Sequence, residues 1–355
     1  MAWACGEQPA HMAARRLQRQ LRHLSPAPPA EPALASAVPP AAAGVQRLGP
    51  SDLQDVLDLV SVAFSEHGET TPRQVMKPHV YREGSMHEHW GIRDGGRLLA
   101  VAGVTPRTLT VGDASLKTAG VGGVAVHPRL GRKQGLMTRL MDHTIADLRA
   151  EGYVLSMLSG LRQRYAHFGY EKAGQNVSLT LTSRNFELGG AAATAAVAAA
   201  ATLRLCPMEA AHLPAAQALH AAQSVRWERG DPDSSATEFL LVLSAWNARP
   251  FAALDAGTGE VVGYLVADAA AGVQGGGRTA DPSKLQEVVG RDDATTLSMI
   301  YRWVTEHGAP FSSQDPAATM THWELPSWQV AAAAAGQYEG GGLGRQLLEI
   351  AETTR

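Results

Sequence analysis

The segment of residues 121–150 constrains the fold of this chain more than any other. β-Branched residues lead to Pro128, a basic loop that contains two glycines follows, and apolar residues then recur at helical spacing, namely Leu136, Met137, Leu140, Met141, Ile145 and Leu148. This order predicts a β-strand, a loop and an α-helix. The first N–H groups of a helix have no intrahelical acceptor and can bind a phosphate, and Arg132 and Lys133 add positive charge beside them. The segment therefore predicts a site for a phosphate-bearing ligand.

Two alternatives bear on this segment. A Walker-type phosphate loop requires Gly-Lys followed by Ser or Thr at the start of the helix, and it is excluded because Leu136 follows Gly135. A strand-to-helix turn in an α/β domain can also use glycine and arginine without any ligand. This second alternative stays open in the sequence.

The spacing of the loop narrows the ligand class. Arg132-x-x-Gly135-x-Met137, entered from Val124-x-Val126-x-Pro128, resembles the acyl-CoA signature of the GNAT N-acetyltransferase superfamily. In that signature, Arg or Gln is followed by two residues, Gly, one residue, and Gly or Ala, so Met137 departs from the last position. The resemblance implies acetyl-CoA as the acyl donor. It assigns CoA binding to Val124, Ala125, Val126, Arg132, Lys133, Gln134, Gly135, Leu136 and Met137.

Tyr165 is the candidate catalytic residue of a second segment. An apolar run over residues 153–158 predicts a short buried strand, and Tyr165 stands three residues before the turn Phe168-Gly169-Tyr170. The resemblance implies that this tyrosine lies beside the thioester sulfur and protonates the departing thiolate. A tyrosine with a pKa near ~10 can protonate a thiolate whose acid has a pKa near ~8.5. Packing of the ring, with the hydroxyl on a backbone carbonyl, is the alternative.

A glycine-rich stretch, Gly120-Val121-Gly122-Gly123, precedes Val124. Glycine inside a strand indicates a bulge or the close approach of a ligand. In the GNAT superfamily the corresponding strand splays from its neighbour, pantetheine pairs with the free edge, and a backbone N–H polarises the thioester carbonyl. The resemblance assigns this oxyanion contact to Val126, and an ordinary edge strand is the alternative.

The fold class implied by the resemblance is α/β (α+β), a mixed twisted sheet with flanking helices, over residues 45–187. Strands are expected at residues 45–48, as two segments within 92–101, and at 104–111, before the signature strand. A helix is expected from Leu53 to Phe64, with Ser51 as its N-cap.

Two segments of biased composition lie outside this domain. Residues 1–44 are rich in Ala, Pro and Arg, which predicts a disordered leader or, since acidic residues are few, a transit peptide. Residues 188–201 are rich in Ala and Gly and predict a linker, although polyalanine can equally form a helix.

Residues 202–355 repeat the opening of the first domain in outline, which predicts a second, degenerate GNAT-like domain. Near its end, Gly340–Gly344 and Arg345 are similar to the loop and helix of the signature, but Glu339 occupies the basic position. A second active site is therefore not expected, and shaping of a substrate cleft is the predicted role. The first domain most resembles acetyltransferases of the enhanced-intracellular-survival type.

The resemblance implies direct transfer to a primary amine, on a small molecule or a peptide, in a ternary complex. That amine has to lose a proton, and Glu66 is the candidate general base. Other members of the two polar clusters near it are alternatives, and each can equally be a solvated loop residue: His67, Glu69, His87, Glu88 and His89. His87-x-His89 lacks a clear third ligand, so no metal is predicted.

Composition limits the other function classes. The chain has 355 residues, 45% of them apolar, and a net charge of only −3, which argues against a nucleic-acid-binding face. No apolar run approaches the ~20 residues that span a bilayer, so no membrane association is expected. Two cysteines offer no disulfide framework. A soluble protein is expected in the cytoplasm, or in a plastid or mitochondrion if the leader is a transit peptide.

Two function hypotheses follow from these observations. A CoA-dependent N-acetyltransferase is the first, and Tyr165 favours it. A non-catalytic acyl-CoA-binding or regulatory protein of the same fold is the alternative. The sequence predicts neither the identity of the acceptor nor the oligomeric state.

Overall fold

The computed structural model describes residues 44–65, 72–111, 113–171, 176–223, 225–227, 236–268, 274–275, 278–279, 284–307 and 321–326, all within one compact unit, Pro40–Arg355. The predictions for the leader and for Gly340–Gly344 lie outside the described residues. The described part forms an α/β fold with two large β-sheets.

The strands in chain order are β1 (Val45–Arg47), β2 (His89–Asp94), β3 (Arg97–Val111), β4 (Ala114–Val126), β5 (Leu155–Met157), β6 (Asn176–Leu181), β7 (Leu203–Pro207), β8 (Val225–Trp227), β9 (Arg249–Asp255), β10 (Val261–Ala267), β11 (Gln274–Gly275), β12 (Arg278–Thr279), β13 (Leu285–Gly290) and β14 (Thr321–Pro326). The helices are α1 (Leu53–Ser65), α2 (Arg73–Met76), α3 (Leu136–Ala150), α4 (Arg162–Tyr165), α5 (Ser183–Leu188), α6 (Ala191–Ala200), α7 (Leu213–Ala221), α8 (Ala236–Leu243) and α9 (Asp293–His307).

The first sheet has the order β1-β2-β3-β4-β5, and β8 pairs with the far end of β3. β4 and β5 are parallel, whereas the other neighbours are antiparallel. β3 runs unbroken from Arg97 to Val111, whereas the sequence predicted one strand that ends at Val101 and another that starts at Val104. The strand stays continuous because its pairing with β4 shifts register between Val101 and Gly103, as at a β-bulge.

β5 is shorter and more exposed than predicted. Residues 153–158 were expected to form a buried strand, but β5 contains only Leu155–Met157. Val154 is 67% exposed and Leu155 is 43% exposed. The prediction of burial was wrong because β5 is the last strand of this sheet and has a neighbour on one side only.

Helices α1 and α3 cover opposite faces of the first sheet. Successive residues of a strand point to opposite faces, and on β3 Val101 packs with α1 whereas Ala100 packs with α3. The start of α1 differs from the prediction. A 3₁₀ turn, Pro50–Asp52, precedes it, and the Asp52 carboxylate accepts the Gly49 N–H at 2.7 Å. Ser51 is therefore not the N-cap, because Pro50 begins the helical turn earlier.

The second sheet has the order β6-β14-β13-β10-β9-β7. Its strands β9 and β10 form a hairpin, and β6 pairs with β14 and thus joins this sheet. The polyalanine stretch forms α6, whose buried face of Ala193, Ala196 and Ala200 lies beside α9. The small alanine side chains allow close packing of the two helices. Within the described ranges, no helix is long and apolar enough to cross a membrane.

Replacing Leu140 with Ala is expected to lower the free energy of unfolding by about 2–5 kcal/mol, because a buried leucine would be lost from the packing of α3 on the sheet. Leu140 is 0% exposed and contacts the cluster that contains Ile92 and Ala100. Urea unfolding measures the change. Thr138→Ala, on the exposed side of α3, is the control and should change stability by less than about 0.5 kcal/mol. Equal stability of the two variants would contradict the packing described.

Candidate active site

β4 loses one neighbour where the predicted CoA-binding residues begin. The parallel ladder with β5 joins Thr118 to Leu155 and ends at Gly120 and Met157. Beyond that point, no strand among the described residues pairs with this edge of β4. Gly123 has a φ of +61°, which favours glycine, and lies at the register shift against β3. The bulge indicated by the glycine-rich stretch and the free edge implied by the resemblance are both present.

Backbone alternation gives the direction of the N–H groups on this edge. The His127 N–H donates to the Leu99 carbonyl of β3 at 2.8 Å. In an antiparallel ladder the N–H groups of alternate residues point to opposite sides. The Val126 N–H therefore points away from β3, towards the free edge. This donor is oriented for a ligand that lies along β4.

The loop between β4 and α3 is held by its own hydrogen bonds. The His127 Nδ1 atom accepts the N–H groups of Arg129 and Leu130 at 3.3 and 3.2 Å. Lys133 and Gly135 have positive φ values of 63° and 68°, and α3 begins directly after Gly135. The first N–H groups of α3 consequently emerge beside the basic residues of the loop. This is the arrangement expected for anion binding.

One cavity of about 330 Å³ lies against the loop and the free edge. Its walls are Ala63, Phe64, Val124, Ala125, Val126, Pro128, Gly131, Arg132, Lys133, Gly135, Leu136, Met137 and Arg164. All predicted CoA-binding residues except Gln134 are thus brought together. Gln134 instead donates its side-chain N–H to the Leu130 carbonyl at 2.7 Å and so stabilises the loop.

Tyr165 ends α4 beside this cavity, and its neighbour Arg164 forms part of the wall. The Tyr165 ring belongs to the same apolar cluster as Val124 and Met137 and lies edge-on to the Tyr170 ring, with 6.3 Å between centroids. Burial raises the pKa of the Tyr165 hydroxyl above its ordinary value of 10.0, although the positive charge of Arg164 opposes the shift. Tyr165 is therefore protonated at neutral pH and can act as a proton donor.

The wall of the cavity also contains residues that the sequence did not assign to the site. Phe64 ends the apolar face of α1, a pattern that predicts core packing, yet it borders the cavity and stacks under the Arg73 guanidinium, 3.9 Å from the ring centroid. Nothing in the sequence assigned Arg164 to the site, apart from its place next to Tyr165. Glu66 follows Phe64 by two residues but lies outside the described residues, so its role stays a prediction.

The cluster before β2 is described, and its members have different environments. His89 is 2% exposed, and its Nδ1 atom lies 3.0 Å from the Ser85 carbonyl. Burial lowers the pKa of His89 to about 4. Burial raises the pKa of Glu88 to about 7, with Arg82 opposing the shift and Glu238 adding to it. In the described part of the chain, no group of three or more His, Cys, Asp and Glu residues is arranged to hold a metal ion.

Replacing Glu88 with Gln is expected to stabilise the protein more at pH 7.5 than at pH 4.5. The folded-state pKa of about 7 lies above the ordinary value of 4.5. The proton on Glu88 therefore contributes stability below pH 4.5 that is lost as the pH rises through 7. Glutamine stays neutral and avoids that loss. Urea unfolding of both proteins at the two pH values measures the difference, and a constant or decreasing advantage of the variant would contradict the burial of Glu88.

Residues 44–173 match the family model described as "Acetyltransferase (GNAT) domain". This range contains β1 to β5 and every wall residue of the cavity. This part of the chain is therefore similar to GNAT acetyltransferase domains, as its signature predicted. No curated protein is significantly similar to the chain in sequence.

Solved structures with a similar fold extend beyond this domain. A probable N-acyltransferase from Enterococcus faecalis V583 aligns with a TM-score of 0.54 at 14% identity, covering 80% of this chain and 65% of that one. A GCN5-related N-acetyltransferase from Anabaena variabilis ATCC 29413 also has a TM-score of 0.54 at 14% identity, with 80% and 66% coverage. The chain thus spans about two thirds of the length of these structures.

Eis1 from Mycobacterium abscessus aligns with a TM-score of 0.49 at 15% identity, covering 79% of this chain and 65% of that one. This degree of similarity does not separate the enhanced-intracellular-survival type from other members of the superfamily. That subtype therefore stays a prediction from the sequence.

Proposed function

We propose that this protein transfers an acetyl group from acetyl-CoA to a primary amine within a ternary complex. The observation that carries the proposal is the single cavity formed by the signature loop, the start of α3 and the free edge of β4. A strand-to-helix turn without a ligand accounts for the loop alone. It gives no reason for β4 to separate from β5 at the same place, or for the Val126 N–H to point into the gap between them.

Acetyl-CoA fits this arrangement by its chemistry. The pyrophosphate would meet the first N–H groups of α3, with Arg132 and Lys133 supplying positive charge. The pantetheine amides would pair with the edge of β4 from Val124 to Val126, as an added strand does. Apolar wall residues such as Phe64 and Met137 suit its carbon chain.

The transfer itself uses two groups of the protein. The amine nitrogen attacks the thioester carbonyl carbon, and the Val126 N–H stabilises the negative charge that forms on the carbonyl oxygen, an interaction whose loss can cost ~3 kcal/mol of barrier. The C–S bond breaks as the Tyr165 hydroxyl gives its proton to the sulfur. Tyr165 regains a proton from the attacking nitrogen, directly or through water, which leaves the amide and free CoA thiol.

A base has to remove the first proton from the acceptor ammonium. Glu66 is the candidate from the sequence, and Glu88 is the second, since a base with a pKa of about 7 suits a reaction near neutral pH. Glu88 directly precedes His89, which pairs with Gly103, and Gly103 pairs with Gly122 of β4. Glu88 thus lies one residue before the end of a row of paired strand residues that passes next to the bulge.

We assign the CoA contacts to residues 45–187 and propose that residues 202–355 are a degenerate GNAT-like domain that shapes the acceptor cleft. The second sheet supports this assignment, and so does the alignment of 80% of the chain with the two solved structures, which is more than the first domain alone.

The test is acetyl-CoA-dependent release of free thiol by the purified chain, with a panel of amino acids, peptides, arylamines, polyamines and aminoglycosides as acceptors. Turnover with at least one primary amine, and mass-spectrometric detection of its acetyl amide, is expected. Acetyl-CoA binding without turnover of any amine would favour the non-catalytic alternative. Absence of acetyl-CoA binding at micromolar concentration would contradict the assignment of the cavity.

A further inference from the structure

A lysine lies over the glycines of β4 on the sheet face opposite α3. A Cβ atom added to Gly122 would be 3.8 Å from the Lys77 Nζ atom, and one added to Gly123 would be 2.6 Å from the Tyr81 hydroxyl. Val124, the next residue, belongs to the cavity wall. The Lys77 ammonium therefore lies beside the bulge that leads into the cavity wall.

This face is the side from which an acceptor can approach the thioester. On the other face, Val121 and the residues of α3 close the sheet with an apolar cluster that contains Met141 and Leu148. On the face of Lys77, the Tyr81 hydroxyl fills the space over Gly123, and the room for a substrate lies over Gly122, beside the Lys77 ammonium.

The position of Lys77 is set by its own turn and by contacts of that turn with residues 238–246. The Lys77 N–H donates to the Arg73 carbonyl at 2.8 Å, and the Lys77 carbonyl accepts the Tyr81 N–H at 3.1 Å. The Lys77 ammonium lies 5.2 Å from the centroid of the Trp246 ring. Arg82 forms a salt bridge with Glu238 of α8, which ties the same turn to the segment before Trp246.

Trp246 holds an unusual backbone conformation at this contact. Its φ of 63° and the φ of 58° at Asn247 both lie in the left-handed region, which costs free energy for residues other than glycine. The buried residues Leu243 and Ala248 flank this turn and fix it. Such strained positions cluster at functional sites, where they place a side chain that another conformation would not.

The positive charge of Lys77 and its neighbour Arg73 determines which acceptors can bind beside them. Lys77 presents a compact ammonium with three N–H donors, which binds a carboxylate and repels a second ammonium. Arg73, one turn earlier on α2 and 7% exposed, adds a second positive charge. A cation near the reacting amine also favours its neutral, nucleophilic form, because a nearby like charge lowers the pKa of an ammonium.

We propose that Lys77, backed by Trp246, binds a carboxylate of the acceptor, so that the preferred acceptors are amino acids and other small primary amines that carry a carboxylate. The inference rests on the proposed function, since it names the substrate class of the same site. Polycationic amines are disfavoured acceptors because Lys77 and Arg73 repel their additional positive charges.

Binding of reaction products tests the carboxylate site without turnover. N-acetyl-L-phenylalanine and N-acetyl-2-phenylethylamine differ only by the carboxylate, and calorimetry on the CoA-saturated full chain compares them. We expect the carboxylated product to bind about tenfold or more tightly, the size of one charge-assisted hydrogen bond. Lys77→Met should remove this difference, and Lys77→Arg should keep part of it. Equal affinities in the wild type, or an unchanged difference in Lys77→Met, would overturn the proposal.

Two further variants serve as checks. Arg97→Met removes one positive charge at an exposed position six residues from Gly103 along β3, and it should leave the preference for the carboxylated product unchanged. Trp246→Leu removes the ring beside the ammonium and should weaken that preference in the same direction as Lys77→Met. Thermal unfolding confirms that each variant is folded, and the affinity for CoA should be unchanged in all of them.

Turnover separates this proposal from the proposed function. The kcat/KM for L-phenylalanine should exceed those for 2-phenylethylamine and spermidine, and Lys77→Met should abolish the advantage over 2-phenylethylamine. Turnover of all three amines without a preference that depends on Lys77 would overturn the carboxylate site and leave the acetyltransferase assignment intact. Carboxylate binding that depends on Lys77, with no turnover of any amine, would support the site and contradict the transfer reaction.

Discussion

Replacing Tyr165 with Phe is expected to lower kcat by about 10²–10⁴-fold, the usual contribution of a general acid. The ring would keep its packing against the cluster that contains Val124 and its edge-on contact with Tyr170. Acetyl-CoA affinity should therefore change little, because the lost hydroxyl acts in the transition state and not in the ground state. Steady-state kinetics with the best acceptor of the panel measures both quantities.

Tyr170→Phe is the matched control for this prediction. Tyr170 is also a half-buried tyrosine of the same cluster, but its hydroxyl accepts a hydrogen bond from the Ser156 side chain at 2.8 Å. Its loss should alter kcat by less than about tenfold, as expected for a residue outside the proton transfer. Because burial raises the pKa of Tyr165 above its ordinary value of 10.0, deprotonation of this hydroxyl should not lower the kcat of the wild type below pH 10. Normal turnover of Tyr165→Phe from pH 6 to 10 would assign Tyr165 to packing.

Replacing Gly135 with Asp is expected to weaken acetyl-CoA binding at least ~10-fold relative to Gly135→Asn, an effect of charge repulsion at a helix N-terminus. The two side chains have the same shape, and both tolerate the left-handed conformation better than other residues. The φ of Gly135 is +68°, and a Cβ atom there would meet nothing within 4 Å. The comparison therefore isolates the negative charge beside the pyrophosphate. Calorimetry with acetyl-CoA measures the affinities.

The dependence on ionic strength and a substitution of Arg132 test the same phosphate site. The difference between Gly135→Asp and Gly135→Asn should shrink as ionic strength increases, because exposed charges are screened. Arg132→Ala should also weaken binding, and added salt should reduce its effect. Equal binding by the Asp and Asn variants would show that no phosphate lies at this helix start.

The local features of the site could be predicted because neighbouring residues determine them. The order of β4, loop and α3 follows from β-branched residues, a proline and helical periodicity within residues 121–150, and the bulge follows from adjacent glycines. Gly135 could be placed before the helix because its spacing from Arg132 is fixed in the chain. The two strand segments expected within residues 92–101 follow from a local pattern in the same way, and they form the hairpin of β2 and β3 around Asp94-Gly95-Gly96.

Features that depend on distant contacts could not be predicted from these patterns. β6 joins the second sheet through β14, which is about 140 residues away in the chain. The residues of β6 do not indicate which distant strand they pair with. β5 was predicted to be buried because its residues are apolar, whereas its exposure depends on its place at the edge. The contact of Lys77 with Trp246 likewise links two segments that meet only in the folded protein.

A crystal structure of the protein with acetyl-CoA tests the central claim most directly. We predict the pyrophosphate at the loop from Arg132 to Met137, the thioester at the free edge of β4 with its oxygen on the Val126 N–H, and the sulfur within hydrogen-bonding reach of the Tyr165 hydroxyl. Acetyl-CoA bound elsewhere, for example with its pyrophosphate against Gly340–Gly344, would contradict the account.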